Sequence, residues 1–253
     1  MSRASVVCAT GVSKVYVSTK GEPLLALHDV NFSVERNEFF SIVGPSGCGK
    51  TTLLNLLAGF EQPTLGELRV DDRVITAPGW ERAVVFQEYA LFPWYTVSQN
   101  IRYGLQRKRV PAPEQDRLCE HYIALVGLRG FEDYYPSQIS GGMQKRAGLA
   151  RAIALDPDVL FFDEPSAGLD PISSKLLDDL ILELRNSLGA TVVVVTHELA
   201  SIFAIGGNSV FLDGETKTMI ASGSPRDLLE HSPDPRVRRF LTRGRSDGGG
   251  SHG

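Results

Sequence analysis

The sequence predicts an α/β fold: a parallel sheet with crossover helices, an antiparallel β subdomain ahead of it and a helical insertion within it. Three observations predict this. Apolar runs of strand length alternate with helical periodicity in the second half of the 253 residues. The early part holds apolar runs broken by turn residues, Pro63 to Gly66 and Asp71-Asp72, as antiparallel hairpins require. From about Glu88 to Gln138, helix start and stop signals replace the strand patterns.

Taken in order, strands are predicted over Leu27–Val34, Phe39–Val43, Leu68–Ile75 and Ala83–Phe86, then over Val159–Phe162, Thr191–Thr196 and Ser209–Leu212. A helix over Thr51–Ala58 follows the second of these. Thr96-Val97-Ser98-Gln99 has capping-box spacing before a helical run. Pro113 opens another helix, which should end near Gly127. Lys145 to Leu155 reads as a helix. Leu176, Leu177, Leu180, Ile181, Leu184 and Leu188 form a helical stripe, and Gly189 supplies its stop. Beyond Leu241 the chain runs into Arg, Gly and Ser, so residues 242–253 are expected to be a flexible tail.

Composition sets outer bounds. Hydrophobic residues make up 42% and charged residues 22%, which excludes a mostly disordered chain. With 26 Lys+Arg against 30 Asp+Glu, the net charge of −4 argues against a nucleic-acid partner. Cys8, Cys48 and Cys119 are too few and too scattered for a disulfide framework or a Cys-rich zinc site. The densest apolar run, Thr191 to Val195, has strand length, so no membrane span is expected. Met1 to Thr10 lacks the basic-then-apolar pattern of a secretory leader. A cytoplasmic protein is expected.

The chemistry begins at Gly44-Pro45-Ser46-Gly47-Cys48-Gly49-Lys50-Thr51-Thr52, which matches the phosphate-loop pattern G-x-x-x-x-G-K-[ST] between a strand and a helix. The pattern predicts the core of a P-loop NTPase. Glycines let the backbone turn its N–H groups towards phosphate oxygens, and the helix start adds positive potential. Lys50 should reach the β- and γ-phosphates of ATP, and the Thr51 hydroxyl should ligate Mg2+. A second anchor is Val159 to Phe162 followed by Asp163-Glu164. At the strand's end Asp163 can hold Mg2+ through water and Glu164 can polarise an attacking water. Two acids after a strand are commonly a solvated strand end; a phosphate loop upstream favours the catalytic reading. Cys48 reads as a small filler, although a thiol near a helix start can be acidified.

Ser140-Gly141-Gly142-Met143-Gln144 opens a further helix, a second place where an anion can be held. With these residues the chain resembles the ATPase subunits of ABC transporters over about residues 5–240. That family's LSGGQ signature appears with Ile139 for Leu and Met143 for Gln. The resemblance implies that Gln87 is the Q-loop residue, which meets the metal and the γ-phosphate and links them to the helical insertion. It implies that Ser166 to Asp170 is the D-loop, that His197 is the switch histidine, and that Tyr16 stacks on adenine. Without the family, an aromatic among Val12, Val15 and Val17 also reads as half-buried core. The resemblance implies one ATPase domain over residues 5–241, with a helical subdomain at about 88–155. It further implies a homodimer sandwiching two ATP molecules, each phosphate loop facing the partner's Ser140, Gly141, Gly142 and Gln144. Integral-membrane permease subunits, a solute- or lipid-binding component and a peripheral position on the cytoplasmic face of the inner membrane complete the expectation.

Subfamily signals divide along the chain. Val74 to Arg82 and Val84 to Trp94 resemble the nitrate/sulfonate/taurine importer ATPases. Gly141 to Arg151, Asp163 to Pro171 and Ser232 to Leu241 resemble the ATPases of Mce-associated phospholipid transport, with a change near residues 135–140. Phe92, Trp94 and Tyr95 are expected at the permease contact, with local packing of the insertion as the alternative. Partner choice should follow that surface, which leans the reading to the importer class; phospholipid transport is the alternative. A non-transport ABC ATPase, expected to carry a long coiled-coil insertion or two phosphate loops, is remote. Arg236, Arg238, Arg239, Arg243 and Arg245 form a basic run that reads as a solvated terminus.

Overall fold

The computed structural model describes residues 5–87, 90–205 and 207–242. They fall into two compact units: the residues up to Pro78 with those from Val193 on, and Gly79–Val192.

In chain order the first unit contains β1 (Ser5–Val17), β2 (Pro23–Glu35), β3 (Phe39–Val43), α1 (Lys50–Ala58), β4 (Leu65–Val70) and β5 (Arg73–Val74). β1, β2, β4 and β5 form an antiparallel sheet in the order β2-β1-β4-β5. The single strand expected over Leu68–Ile75 is two, because Asp71 and Asp72 take positive φ (46° and 61°) and turn the chain between β4 and β5. β1 went unpredicted. Its register with β2 shifts four times, once between Ser5 and Val7, where Val6 and Val7 are both buried, and three times past Ala9, so no period of two survives. Gly11 and Gly66 meet where β1 approaches β4, too closely for a side chain at residue 66.

The second unit holds β6 (Arg82–Val85), α2 (Val97–Arg107), α3 (Ala112–Leu125), a short 3₁₀ turn (Pro136–Gln138), α4 (Gly141–Ile153), β7 (Val159–Asp163) and α5 (Pro171–Leu188). β6 and β7 pair in parallel, from Arg82↔Val159 to Val85↔Phe162. The capping box forms: the Gln99 amide donates to Thr96 Oγ1 at 3.3 Å and the Thr96 amide to Gln99 Oε1 at 2.9 Å. α3 carries Pro113 in its first turn and is followed by Gly127 at φ 69°. α4 starts four residues before the expected Lys145, because Ser140 Oγ accepts the Met143 amide and caps the helix there. α5 likewise reaches back to Pro171, capped by Asp170, and stops at Gly189 (φ 65°).

β8 (Thr191–Thr196) leads back into the first unit, which continues with α6 (Leu199–Ile205), β9 (Asn208–Leu212), β10 (Met219–Gly223), α7 (Pro225–His231) and α8 (Pro235–Thr242). There the strand order is β10-β9-β3-β8, with β3 and β9 parallel. Val43, Ile202, Phe211, Leu228, Leu229, Val237 and Leu241 form the core that docks α6, α7 and α8. The tail expected from residue 242 begins one residue later at the earliest, since Thr242 closes α8. Arg243, Arg245 and the rest of the tail lie outside the described residues, as do Glu88 and Tyr89 of the expected insertion.

Candidate active site

In the first unit β3 is buried along its whole length and delivers the chain to the phosphate-loop pattern at its end. Gly44, Gly47 and Gly49 take φ of 153°, 75° and 108°, backbone that L side chains rarely adopt. Space demands glycine as well: a Cβ on Gly44 would lie 2.8 Å from Cys48 Sγ and run into the Leu212 carbonyl. Gly49 caps α1, whose first turn carries Lys50, Thr51 and Thr52. The Lys50 side chain folds back across the loop, and Nζ donates to the carbonyls of Gly44 (3.0 Å) and Pro45 (3.2 Å). Ser46 and Gly47 are exposed at the loop's crest, and Thr51 is exposed on the helix. Cys48 is fully buried; burial pushes its thiol up and outweighs the pull of the Lys50 charge. It is a packing residue.

Tyr16 is half-buried. Its hydroxyl donates to Glu61 Oε2 at 2.7 Å, and Lys14 Nζ pairs with the same oxygen at 3.0 Å. Burial would raise the Glu61 carboxyl, yet Tyr16 and Lys14 hold it below its ordinary range. Lys14 Nζ also stands 4.9 Å from the Tyr16 ring centroid, so it occupies one face of the ring. His197 follows β8 and is exposed in the loop before α6.

In the second unit β7 is buried throughout and ends at Asp163, itself 8% exposed. Glu164 follows with φ 49°, a left-handed conformation that costs a non-glycine residue about 1 kcal/mol or more and concentrates at functional sites. The Glu164 carbonyl accepts the Ala167 amide, and the Ser166 carbonyl accepts that of Leu169, so the segment to Asp170 is a succession of tight turns. Asp170 accepts the amides of Ile172 and Ser173, both at 3.0 Å. Ser140 and Gly141 are exposed at the start of α4, and a side chain on Gly142 would meet open space. Gln144 turns the other way: its amide nitrogen donates to the carbonyls of Pro136 (2.9 Å) and Ile139 (3.3 Å), fixing the segment that leads into α4. Gln87 is exposed after β6.

Phe92, Trp94 and Tyr95 gather with Tyr103, at ring-centroid distances from 4.7 Å (Phe92–Tyr103) to 6.3 Å (Trp94–Tyr95). Phe92 and Tyr95 are half-buried within this group; Trp94 is 66% exposed. Two residues missed in sequence hold backbone in shape, Asn100 beside this aromatic group and Lys145 at the turns after Glu164. Fully buried Asn100 accepts the Phe92 amide and donates to the carbonyls of Phe92, Tyr95 and Thr96. Lys145 is 4% exposed, and Nζ donates to the carbonyls of Pro165 (2.6 Å) and Ala167 (2.7 Å). The available signal was a polar residue on an otherwise apolar helical stripe: Asn100 beside Val97, Ile101 and Leu105, and Lys145 beside Leu149 and Ala152.

Among the described residues no three His, Cys, Asp or Glu side chains gather as a metal site. None of their helices is long and apolar enough to cross a membrane.

Residues 27–167 match the family described as ABC transporter. The chain is 39% identical over 202 residues to a taurine import ATP-binding protein of Pelagibacter ubique, covering 80% of this chain and 76% of that one. It is also 39% identical over 233 residues to a bicarbonate transport ATP-binding protein of a Synechocystis species, covering 88% and 82%. Among solved structures it resembles a dimeric, post-hydrolysis ATP-binding cassette bound to ADP and Pi: TM-score 0.77 and 29% identity, over 86% of this chain and 98% of that chain.

Proposed function

The chain belongs to the ABC transporter family as an ATP-binding, ATP-hydrolysing subunit, and from that premise we propose that it powers import of a small anion of the sulfonate, taurine or nitrate class. It works as a nucleotide-sandwich homodimer on the cytoplasmic face of the membrane, under separate permease subunits that receive a solute-binding component. Residues 5–241 act as one ATPase domain, with 88–155 as its helical subdomain.

The observation that carries the reading is one chain with two exposed, glycine-rich helix starts: α1 behind Gly44, Gly47 and Gly49, and α4 behind Ser140 and Gly141. A single phosphate loop needs only one of them. The second is explained if it closes over ATP held by a partner's loop. Lys50 neutralises phosphate oxygens, for which the carbonyls of Gly44 and Pro45 now hold its ammonium in place. Adenine stacks on the face of Tyr16 that Lys14 leaves open. Thr51, Gln87 and Asp163 offer only oxygen donors of the hard kind that Mg2+ takes, so the residue set fits that ion; bound, it offsets phosphate charge. Glu164 accepts the proton of the attacking water, and its left-handed backbone aims the carboxylate. His197 holds the γ-phosphate, and Gln87 carries its presence or loss to the helical subdomain. Trp94 is the exposed member of the aromatic group that meets the permease.

The importer lean draws support from the bicarbonate relative. Its match covers 88% of the chain and so takes in both halves.

Glu164→Gln should retain ATP binding and accumulate an ATP-bound dimer by size-exclusion chromatography; steady-state hydrolysis at the wild-type rate would refute the role. Co-purification with permeases of importer and phospholipid systems tests the substrate class. Recovery of the phospholipid permease alone would overturn the lean.

A further inference from the structure

The turn between β9 and β10 holds a set of contacts that the catalytic reading does not use. Asp213 is 5% exposed, and its Oδ2 accepts both the amide (2.9 Å) and the hydroxyl (2.7 Å) of Thr216. The Asp213 amide donates to Thr218 O and the Lys217 amide to Asp213 O, which closes the turn. Lys217 takes φ 58°, a strained left-handed conformation, and its carbonyl accepts the His28 amide of β2 at 2.8 Å. Its side chain then reaches across 170 residues of sequence, and Nζ donates to the carbonyl of Gly47 at 2.8 Å. Gly47 is the exposed glycine at the crest of the phosphate loop. A Cβ on Gly214 of the same turn would stand in ordinary contact with Pro45, at 3.4 Å, so the turn runs beside the loop.

The other end of the turn is tied to the C-terminal helix. Arg236 on α8 pairs with Asp213 Oδ2 at 3.0 Å, while Asp234 holds the same guanidinium at 2.7 Å. α8 is docked by Val237 and Leu241 into the core that contains Val43, the residue just before Gly44.

We propose that Lys217 is a positioning residue for the phosphate loop, holding the Gly47 carbonyl outward so that the loop's N–H groups face the nucleotide, and that α8 sets its reach through Arg236 and Asp213. The proposal rests on the reading of residues 44–52 as the ATP phosphate cradle. A charged donor on that carbonyl lowers the cost of ordering the loop before nucleotide arrives, and it adds positive charge beside the phosphates.

The test uses the full chain, a fluorescent ATP analogue and thermal melting without nucleotide. Lys217→Met should weaken binding about tenfold, the scale of one charge-assisted hydrogen bond, with the melting temperature within about 2 °C of wild type. Lys217→Arg should restore affinity to within about threefold, and Arg236→Met should weaken it about threefold through the turn alone. Wild-type affinity in Lys217→Met overturns the proposal. So does a loss that comes with a lower melting temperature and that Lys217→Arg does not restore. If Lys217→Met yields no folded protein, Arg236→Met decides, and unchanged affinity there overturns the proposal. Lys50→Ala separates the two readings: if it binds like wild type, the cradle itself is wrong. If it fails to bind while Lys217→Met binds normally, only the positioning role falls.

Discussion

Lys145→Met tests whether the turns after Glu164 depend on a buried cation. Nζ is shielded from water and lies 2.6 Å and 2.7 Å from the carbonyls of Pro165 and Ala167. Each hydrogen bond from a charged donor contributes about 1.5–3 kcal/mol, so the pair contributes about 3–6. Against this, methionine escapes the cost of burying an ammonium, which amounts to several kcal/mol. The two carbonyls stay behind, however, and leaving a buried acceptor unsatisfied costs about 1–3 kcal/mol. The first two quantities roughly cancel, and two abandoned carbonyls leave a net loss of about 2–6 kcal/mol. For a chain near this size 1 kcal/mol moves the midpoint by about 2–4 °C, so the melting temperature should fall by about 5–20 °C. ATP turnover at 25 °C should fall about tenfold, because the loosened turns begin at the residue that must keep φ 49°. Calorimetry and a phosphate-release assay read the two effects. A variant melting within 2 °C of wild type, with full turnover, would refute the claim that these carbonyls need the ammonium.

Three further outcomes are expected. Gly44→Ala places a methyl against Cys48 Sγ and the Leu212 carbonyl at φ 153°, so nucleotide affinity should drop at least tenfold in a binding titration. Cys48, buried with its thiol pushed up by that burial, should resist iodoacetamide at pH 8 in the folded protein, as mass spectrometry would read. Asp213 carries a pH dependence. Burial would raise its carboxyl, but the Thr216 amide and hydroxyl and then the Arg236 guanidinium outweigh it and hold it below the ordinary 3.8. A depressed folded value means that this stabilisation is complete above about pH 4–5 and is lost as pH falls through the folded value. Wild type should therefore melt higher than Asp213→Asn from pH 5 to 7, with the gap closing below 3.8. A gap that persists to the lowest pH at which both stay folded would contradict the assignment.

The features legible in sequence are those whose causes are local. Phe39–Val43 and Thr191–Thr196 are strands at the predicted bounds, because a fully buried strand is one unbroken apolar run. The glycines at 44, 47 and 49 announce their backbone directly, since few other residues adopt it. Where causes are not local, the reading failed. β1 is hidden by bulges in its pairing with β2 that scramble its alternation; α4 and α5 start early for a local reason that the apolar stripe does not carry, the caps Ser140 and Asp170. The same distinction divides the site. Lys145, Asn100 and Lys217 each act on backbone carbonyls, across 20 and 22, 4 to 8, and 170 residues respectively. A carbonyl is the same group on every residue, so its partner leaves no trace in the side chains around it. Motif reading therefore finds the loops that touch nucleotide and misses the cations and amides that hold those loops in shape, and those are the residues where substitution is most informative.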